Sequence, residues 1–384
     1  MQPRRKHPRH RKEEFVAGKK NAGPKSQVYF ADINVSRVEH DRTLPAKFGR
    51  LLDKFSLDTR VKDKTVGIKM HFGGNTGYTT IHPVFIRILV QKLKDAGAKS
   101  VYAMDNDPKE GIARGYTREV LGCEVVSTFG ASRKYLYREE INFQKYDYAL
   151  LGGEAVDCDF YINLSHVKGH GTCGFGGALK NIGMGIVPGE IRGKIHGLEG
   201  GIAYDRSKCS LCEKCIKECK QGAISRHKEK GIDFFFHHCI YCQHCVLICP
   251  NKALSIESRT FEDFARGMAL TISAFLKKHK PENMLFINFL TDITIWCDCW
   301  GMSTAPLVPD IGIVASNDIV ACDTASLDMI KTEDLLQNGM PKDRKLVEGK
   351  HLFEKIHAKD PYVMIRQLKE CYGGSMEYEL IDVP

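Results

Sequence analysis

The chain has 384 residues, enough for two domains or for one large domain with an insertion. Hydrophobic residues make up 43% of the sequence, an ordinary share for a globular protein, and no apolar run approaches the length of a membrane span. The formal net charge is +9, but residues 1–25 hold nine Lys and Arg against two Glu, so the remainder is nearly neutral. These features exclude a membrane-spanning protein and a protein that is basic throughout.

Residues 1–25 form a basic tail with Pro and Gly and few apolar residues, which predicts disorder. The tail could touch nucleic acid or an acidic partner, but a solvated extension without a specific role is favoured. It has no apolar stretch behind its charges, so it lacks the pattern of a secretory signal. We therefore predict a cytoplasmic protein, in which cysteines outside any metal site stay reduced.

Short apolar strands alternate with helical segments after the tail. Strands are predicted at residues 27–33, 65–71 and 100–105, and a helix runs from Pro83 to just before Gly97. This order predicts an α/β fold with a mostly parallel sheet and flanking helices. In such sheets functional groups gather at the carboxyl edge, where Asp105 ends its strand.

The same alternation continues to the end of the chain, with one interruption. The remaining predicted elements are strands at 148–152, 160–167, 284–289 and near 311–315, a helix over 261–278 and a helix after Asp318. Residues 205–256 interrupt this pattern and have their own cysteine-rich composition. We therefore predict one α/β domain, residues 26–204 plus 257–384, that carries a small α+β insert over 205–256.

Eight of the fifteen cysteines repeat one pattern at an offset of thirty: Cys209, Cys212, Cys215 and Cys219, then Cys239, Cys242, Cys245 and Cys249. The spacing C-x2-C-x2-C-x3-C is that of bacterial ferredoxins, in which the fourth cysteine reaches the other cluster. We therefore predict two [4Fe-4S] clusters, the first held by Cys209, Cys212, Cys215 and Cys249, the second by Cys239, Cys242, Cys245 and Cys219. Such oxygen-labile clusters would suit an anaerobe.

Zinc and disulfides are the alternatives for these cysteines. Zinc sites usually take isolated C-x2-C pairs set further apart, and disulfides need an oxidising compartment. One departure from the ferredoxin pattern is Lys220, which stands where Pro250 follows the second run. No ligand is lost by it, so only the local geometry differs.

A second group of polar residues accompanies the glycine-dense segment 169–189. Lys168 and His170 precede its loop and Lys180 follows it, a pattern that could bind an anion through side chains and backbone N–H groups. The segment matches neither the phosphate-binding P-loop nor the dinucleotide fingerprint. Alternatively, its glycines serve close backbone packing.

Carboxylates and cysteines crowd together further along the chain, at Asp292, Cys297, Asp298, Cys299, Asp310, Cys322 and Asp323. Such residues can ligate a metal, orient a histidine, or act as acid and base. The C-x-C spacing is weak alone, because small buried cysteines often serve packing.

Together these segments resemble the DUF362 family of iron–sulfur proteins, in its variant with a two-cluster ferredoxin insert. The resemblance runs from about Val28 to Ile381 and rests on residues 69–71 with the following glycine turn, 98–105, 162–168 through Lys180 and Asn181, Asp292 with 297–299, and 309–312 leading to 321–323. It implies that the segments flanking the insert form a single α/β domain. The family name records no activity.

Three classes of function follow. The favoured class is an electron-transfer protein with a redox partner protein. The second is an oxidoreductase in which the clusters serve a site for a small anionic substrate, or a further metal, built from Lys168, His170, Lys180, Asp310 and Asp323. The least favoured is a structural or sensory module that binds nucleic acid through the tail.

Overall fold

The computed structural model describes residues 25–74, 76–219, 221–235, 239, 244–258, 260–342 and 344–384, with the backbone alone for 256–258. The first 24 residues of the predicted basic tail and the predicted ligand Cys242 lie outside the described residues. Among the described residues, no helix is both long enough and apolar enough to cross a membrane.

The described residues form sixteen strands: β1 (Ser26–Asp32), β2 (Thr65–Lys69), β3 (Ser100–Asp105), β4 (Glu124–Ser127), β5 (Leu136–Phe143), β6 (Tyr146–Gly152), β7 (Phe160–His166), β8 (Lys168–His170), β9 (Gly174–Gly176), β10 (Gly200–Tyr204), β11 (Ile224–His227), β12 (Gly231–Phe234), β13 (Leu254–Ser258), β14 (Met284–Leu290), β15 (Gly312–Ser316) and β16 (Tyr378–Asp382).

They also form thirteen α-helices: α1 (Leu44–Asp53), α2 (Leu57–Arg60), α3 (Pro83–Asp95), α4 (Arg118–Leu121), α5 (Gly153–Val156), α6 (Ala178–Gly183), α7 (Gly189–Gly197), α8 (Lys214–Glu218), α9 (His244–Leu247), α10 (Phe261–Leu276), α11 (Ile319–Asp328), α12 (Leu352–His357) and α13 (Tyr362–Cys371).

Eight strands form the central sheet, in the order β16-β1-β15-β14-β7-β2-β3-β4. All neighbours pair in parallel except β15, which runs antiparallel to both β1 and β14. The predicted α/β fold with a mostly parallel sheet and flanking helices is therefore confirmed. The strand predicted near 311–315 corresponds to β15, but its reversed direction and the edge strand β16 lie outside what the alternating pattern predicts.

Apolar residues of the central strands fill two cores, one on each face of the sheet. Along β14, Met284 and Phe286 belong to one core and Leu285 and Ile287 to the other, as strand alternation requires. The first core packs against α6, α7 and α10–α13, and the second against α1–α4. Every residue of β7 and β14 is buried, as expected for strands covered on both faces.

The cysteine-rich segment has a small hydrophobic cluster of its own, formed by Ile202, Ile224, Ile232 and Leu254. Strand β10 enters it and pairs antiparallel with β13, which leaves it, while β11 and β12 form a hairpin between them. The two halves repeat at the same offset as the cysteines: Asp205 N donates to Ala253 O and Phe235 N to Ala223 O, both at 2.8 Å. The domain bounds drawn from the sequence stay a prediction.

Candidate functional site

Three neighbouring parallel strands end in chemically active residues at one edge of the sheet. β2 ends in Lys69, β3 in Asp105 and β7 in His166, and all three side chains border a cavity of about 340 Å³. Parallel strands bring their carboxyl ends to the same edge, so the position agrees with the general rule for ligand sites in α/β sheets. This cavity is the candidate functional site.

A buried ion pair forms the floor of the cavity. The Lys69 ammonium donates to Asp105 Oδ1 at 2.9 Å, to Asn181 Oδ1 at 2.8 Å and to Met70 O at 2.8 Å. Burial opposes ionisation of Asp105, but Lys69 and His71 outweigh it and hold the pKa of Asp105 well below its usual range. Asp105 is therefore a carboxylate with a fixed orientation.

Asn181 connects this ion pair to helix α6. Its amide group donates to Asn163 Oδ1 at 2.6 Å and to Lys69 O and Leu164 O at 3.2 Å. The side chain therefore satisfies backbone and side-chain acceptors of two strands from one helical position. This bonding fixes α6, and with it the neighbouring Lys180, above the sheet edge.

A second buried network lies beside the first. Asp298 Oδ2 is 2.9 Å from His166 Nδ1 and 3.0 Å from the Lys168 ammonium. Burial opposes ionisation of Asp298, but Lys168 and His166 outweigh it and hold its pKa well below its usual range. Lys168 also donates to His166 O at 2.7 Å. The cation at Lys168 is thus largely neutralised by a carboxylate behind it.

The glycine turn after β2 holds the loop that carries Cys297 and Cys299. Gly74 N donates to Asp298 O at 3.1 Å, and Thr76 N donates to Gly301 O at 2.9 Å. This docking places a ring nitrogen of His71 and the Sγ atoms of both cysteines within 4.8 Å of one another. Residues more than two hundred positions apart thereby form one cluster at the cavity.

Lys180 faces the Cys297 thiol from helix α6. Its ammonium lies 3.3 Å from Cys297 Sγ, and both residues are buried. Burial opposes ionisation of the thiol, but the Cys299 thiol, Lys180 and Lys168 outweigh it and hold the pKa of Cys297 well below its usual range. Cys297 therefore favours the thiolate form.

The five residues predicted as a catalytic site do not all meet. Lys168 and Lys180 border the cavity. His170 lies behind Cys299, with Nε2 3.5 Å from Cys299 Sγ. Asp310 is exposed and accepts a hydrogen bond from Asp292 N, while fully buried Asp323 lies on α11. The structure thus brings the two lysines to one cavity and places His170 behind Cys299, while neither Asp310 nor Asp323 borders that cavity.

Asp323 caps helix α6 from the neighbouring helix. Its carboxylate accepts hydrogen bonds from Ala178 N and Leu179 N, both at 2.8 Å, and from the Asn288 amide at 2.6 Å. Gly177 is required here, because an added Cβ would lie 2.8 Å from Asp323 Oδ1. The N–H groups of Ala178 and Leu179 are therefore already paired and cannot also bind an anion at the cavity.

Several residues of the cavity escaped the catalytic prediction. Asp105 was noted as a strand-end residue, Lys69 and His71 only within the segment 69–71 of the family resemblance, and Asp298 only between its cysteines. For Lys69 and Asp105, the position at the carboxyl end of a strand was the sequence signal that could have identified them as site residues. Arg192 of α7 also borders the cavity, and nothing in its local sequence signals that.

Four of the eight predicted cluster ligands lie together within the cysteine-rich segment. Cys209, Cys212, Cys215 and Cys249 border one small hollow. Ala223 N lies 3.3 Å from Cys219 Sγ, and its counterpart Ala253 N lies 3.2 Å from Cys249 Sγ, so each fourth cysteine accepts a backbone N–H. None of the described cysteines is in a disulfide.

The insert also reaches the cavity of the α/β domain. Phe235, which follows β12 and lies four residues before Cys239, is one of the residues that border the cavity. Four residues span at most about 14 Å, so the Cys239 backbone lies within roughly that distance of Phe235.

The fold and the sheet-edge cavity define an α/β protein with a cysteine-rich insert. A family model described as a domain of unknown function, DUF362, matches residues 66–328, and the chain belongs to this family. The family resemblance drawn from the sequence is confirmed to that extent. No curated protein matches the chain.

Two solved structures are distantly similar. A protein from Thermotoga maritima is 15% identical, with a TM-score of 0.30 over 39% of this chain and 40% of its own. The lactate racemase apoprotein from Thermoanaerobacterium thermosaccharolyticum is 17% identical, with a TM-score of 0.29 over 61% of this chain and 45% of its own. The chain thus spans less than half of either protein, and neither likeness bears on its function.

Removing the cation of the buried ion pair should destabilise the fold. Lys69→Met leaves Asp105 buried without its main counter-charge, so we expect the free energy of unfolding to fall by about 3–5 kcal/mol in denaturant titrations. The exposed Lys62→Met is the matched control and should change it by less than about 0.5 kcal/mol. The double variant Lys69→Met/Asp105→Asn should lose less free energy of unfolding than the two single variants lose together. Equal effects at positions 62 and 69 would contradict the assignment.

The cap at Asp323 should show in the pH dependence of stability. Burial raises the pKa of Asp323 to about 6, above the value in the unfolded chain. The folded chain then binds more protons, so the stability of the wild type relative to Asp323→Asn should fall by about 2–3 kcal/mol as the pH rises from about 4 to about 6. Chemical denaturation at each pH measures this difference. If the difference in stability between wild type and Asp323→Asn does not change over that pH range, the pKa of Asp323 is not raised in the folded chain.

Proposed function

We propose that the chain is an iron–sulfur electron-transfer protein with two [4Fe-4S] clusters in residues 205–256. The observation that carries this proposal is the hollow bordered by Cys209, Cys212, Cys215 and Cys249. It joins three cysteines of the first run to the fourth of the second, the crossed set that a two-cluster ferredoxin requires. Neither a zinc ribbon nor a disulfide framework needs that crossing.

The surroundings of the cysteines suit clusters. The N–H groups of Ala223 and Ala253 point at cysteine sulfurs, the kind of hydrogen bond that tunes cluster potential. Cys215, Cys219, Cys245 and Cys249 pack against the insert's hydrophobic cluster, which limits access of water. When bound, each cluster supplies a one-electron carrier, and this chain's residues hold it, shield it and hydrogen-bond its ligands.

A redox partner protein would meet the insert at its exposed apolar side. Leu247 is 79% exposed and lies between Cys245 and Cys249, next to Ile248. Exposed apolar residues beside a buried carrier suit a transient contact, because they shorten the distance to a partner's own cofactor.

A second candidate function is reduction of a small anionic substrate in the cavity, with the insert as its electron supply. The contact of Phe235 with the cavity favours it, because it brings the second cysteine run to the site. Lys180 and Arg192 have no carboxylate within 4.0 Å among the described residues, unlike Lys69 and Lys168. Buried Lys180, whose neighbour is the Cys297 sulfur, and half-buried Arg192 would stabilise an anion there.

Iron content tests the clusters. Anaerobically purified protein should contain about eight irons and as many sulfides per chain, and Cys249→Ser should lose about half of both. Cys371→Ser, at the end of α13, is the matched control and should lose none. Protein isolated with zinc at these cysteines and no iron would exclude the proposal.

Reoxidation kinetics test the substrate site. Photoreduced protein is mixed with nitrite, sulfite or pyruvate, and oxidation of the clusters is followed by absorbance. Lys180→Gln should slow the productive reaction roughly 10–100-fold, the worth of one charge-assisted hydrogen bond, while the exposed Lys134→Gln should not. If no anion oxidises the clusters, or Lys180→Gln matches wild type, the substrate site fails and the electron-transfer proposal stands alone.

A further inference from the structure

We infer that His71, Cys297 and Cys299 form a separate metal site, outside the cysteine repeat, for one transition metal of the Zn²⁺ type. The three ligand atoms lie within 4.8 Å of one another. Tetrahedral zinc with bonds of about 2.0–2.3 Å places its ligand atoms roughly 3.4–3.8 Å apart. Movements of about 1 Å, within reach of side-chain adjustment, would close the site.

His71 is held as metal-binding histidines are. Its Nδ1 is 3.1 Å from Asp105 Oδ2, and the other ring nitrogen, Nε2, is buried and has no hydrogen-bond partner among the described residues. Phe72 N and Lys69 fix the carboxylate in turn. A histidine with one nitrogen on a carboxylate and the other left open is the arrangement that orients imidazole toward a metal.

Each cysteine sulfur has a hydrogen-bonding group beside it, of the kind that supports a sulfur bound to a metal. Lys180 lies 3.3 Å from Cys297 Sγ. His170 Nδ1 accepts from Thr172 N and Cys173 N, so its proton resides on Nε2, which faces Cys299 Sγ at 3.5 Å. This gives His170 a positioning role that acts through Cys299.

Three protein ligands leave one coordination position, and it opens toward the cavity. His71 and Cys299 both border the cavity, whereas Cys297 is fully buried behind them. Sites with three protein ligands and one open position are typical of catalytic rather than structural zinc. Lys180 and Arg192 border the same space, so the open position would take an anionic ligand.

Two thiolates and one imidazole select the class of metal. Such softer donors favour Zn²⁺, Co²⁺ or Fe²⁺ over Mg²⁺ and Ca²⁺, which take oxygen ligands. A redox-active dithiol is the competing role for Cys297 and Cys299. In that role His71 would act only as a polar neighbour of the Cys297 sulfur, so tight metal binding that depends on His71 separates the two roles.

Cobalt binding tests the site on the full chain, independently of the clusters. Protein dialysed anaerobically against EDTA and then against chelator-free buffer is titrated with Co²⁺, and difference spectra are recorded. We expect one Co²⁺ per chain with thiolate-to-cobalt charge-transfer absorption in wild type and in Cys371→Ser. His71→Gln and Cys299→Ser should each bind Co²⁺ at least 100-fold more weakly.

Folding of each variant is checked by circular dichroism. The His71 side chain is 20% exposed, so His71→Gln should fold even where Cys299→Ser does not. The Co²⁺ affinity of His71→Gln then tests the site by itself. Absence of Co²⁺ uptake by wild type, or His71→Gln binding as tightly as wild type, would overturn the site. Iron-free protein that binds one Co²⁺ less in His71→Gln than in wild type would refute the clusters and leave this site intact.

Discussion

The buried ion pair between Lys69 and Asp105 is the constraint on which the sheet-edge site depends. Taking both charges out of water costs several kcal/mol per ion, so they are tolerable only with complete hydrogen bonding. All three donors of Lys69 have acceptors, and Asp105 also accepts from Phe72 N. Gly185 permits this packing, because an added Cβ would lie 2.5 Å from Lys69 Nζ.

Two further parts of the site are oriented by this pair. Asp105 turns His71 toward the cysteine loop, and Asn181 fixes helix α6 and so sets the position of Lys180. The cavity above it has the Cys299 sulfur on one side and two cations, Lys180 and Arg192, that have no carboxylate within 4.0 Å in the part of the chain that the structure describes. The cysteine-rich segment contributes Phe235 to the same cavity, so the two parts of the chain are in contact there.

Local signals predicted much of the fold. The strand at 100–105 and the helix from Pro83 were predicted within a residue or two, because alternation, proline and glycine punctuate them locally. The place of β15 between β1 and β14 was beyond reach, because strand order depends on contacts far apart in sequence. The same limit applies to the candidate site. Lys168, Lys180 and Asp323 were all predicted as site residues, but only the two lysines border the cavity, whereas Asp323 caps helix α6.

Diffraction from anaerobic crystals at the iron absorption edge tests the central proposal most directly. The account predicts two iron clusters within residues 205–256, one of them among Cys209, Cys212, Cys215 and Cys249. The second cluster should lie on the side of the insert where Phe235 borders the cavity. Anomalous density for a single cluster, or for zinc at these cysteines, would contradict it.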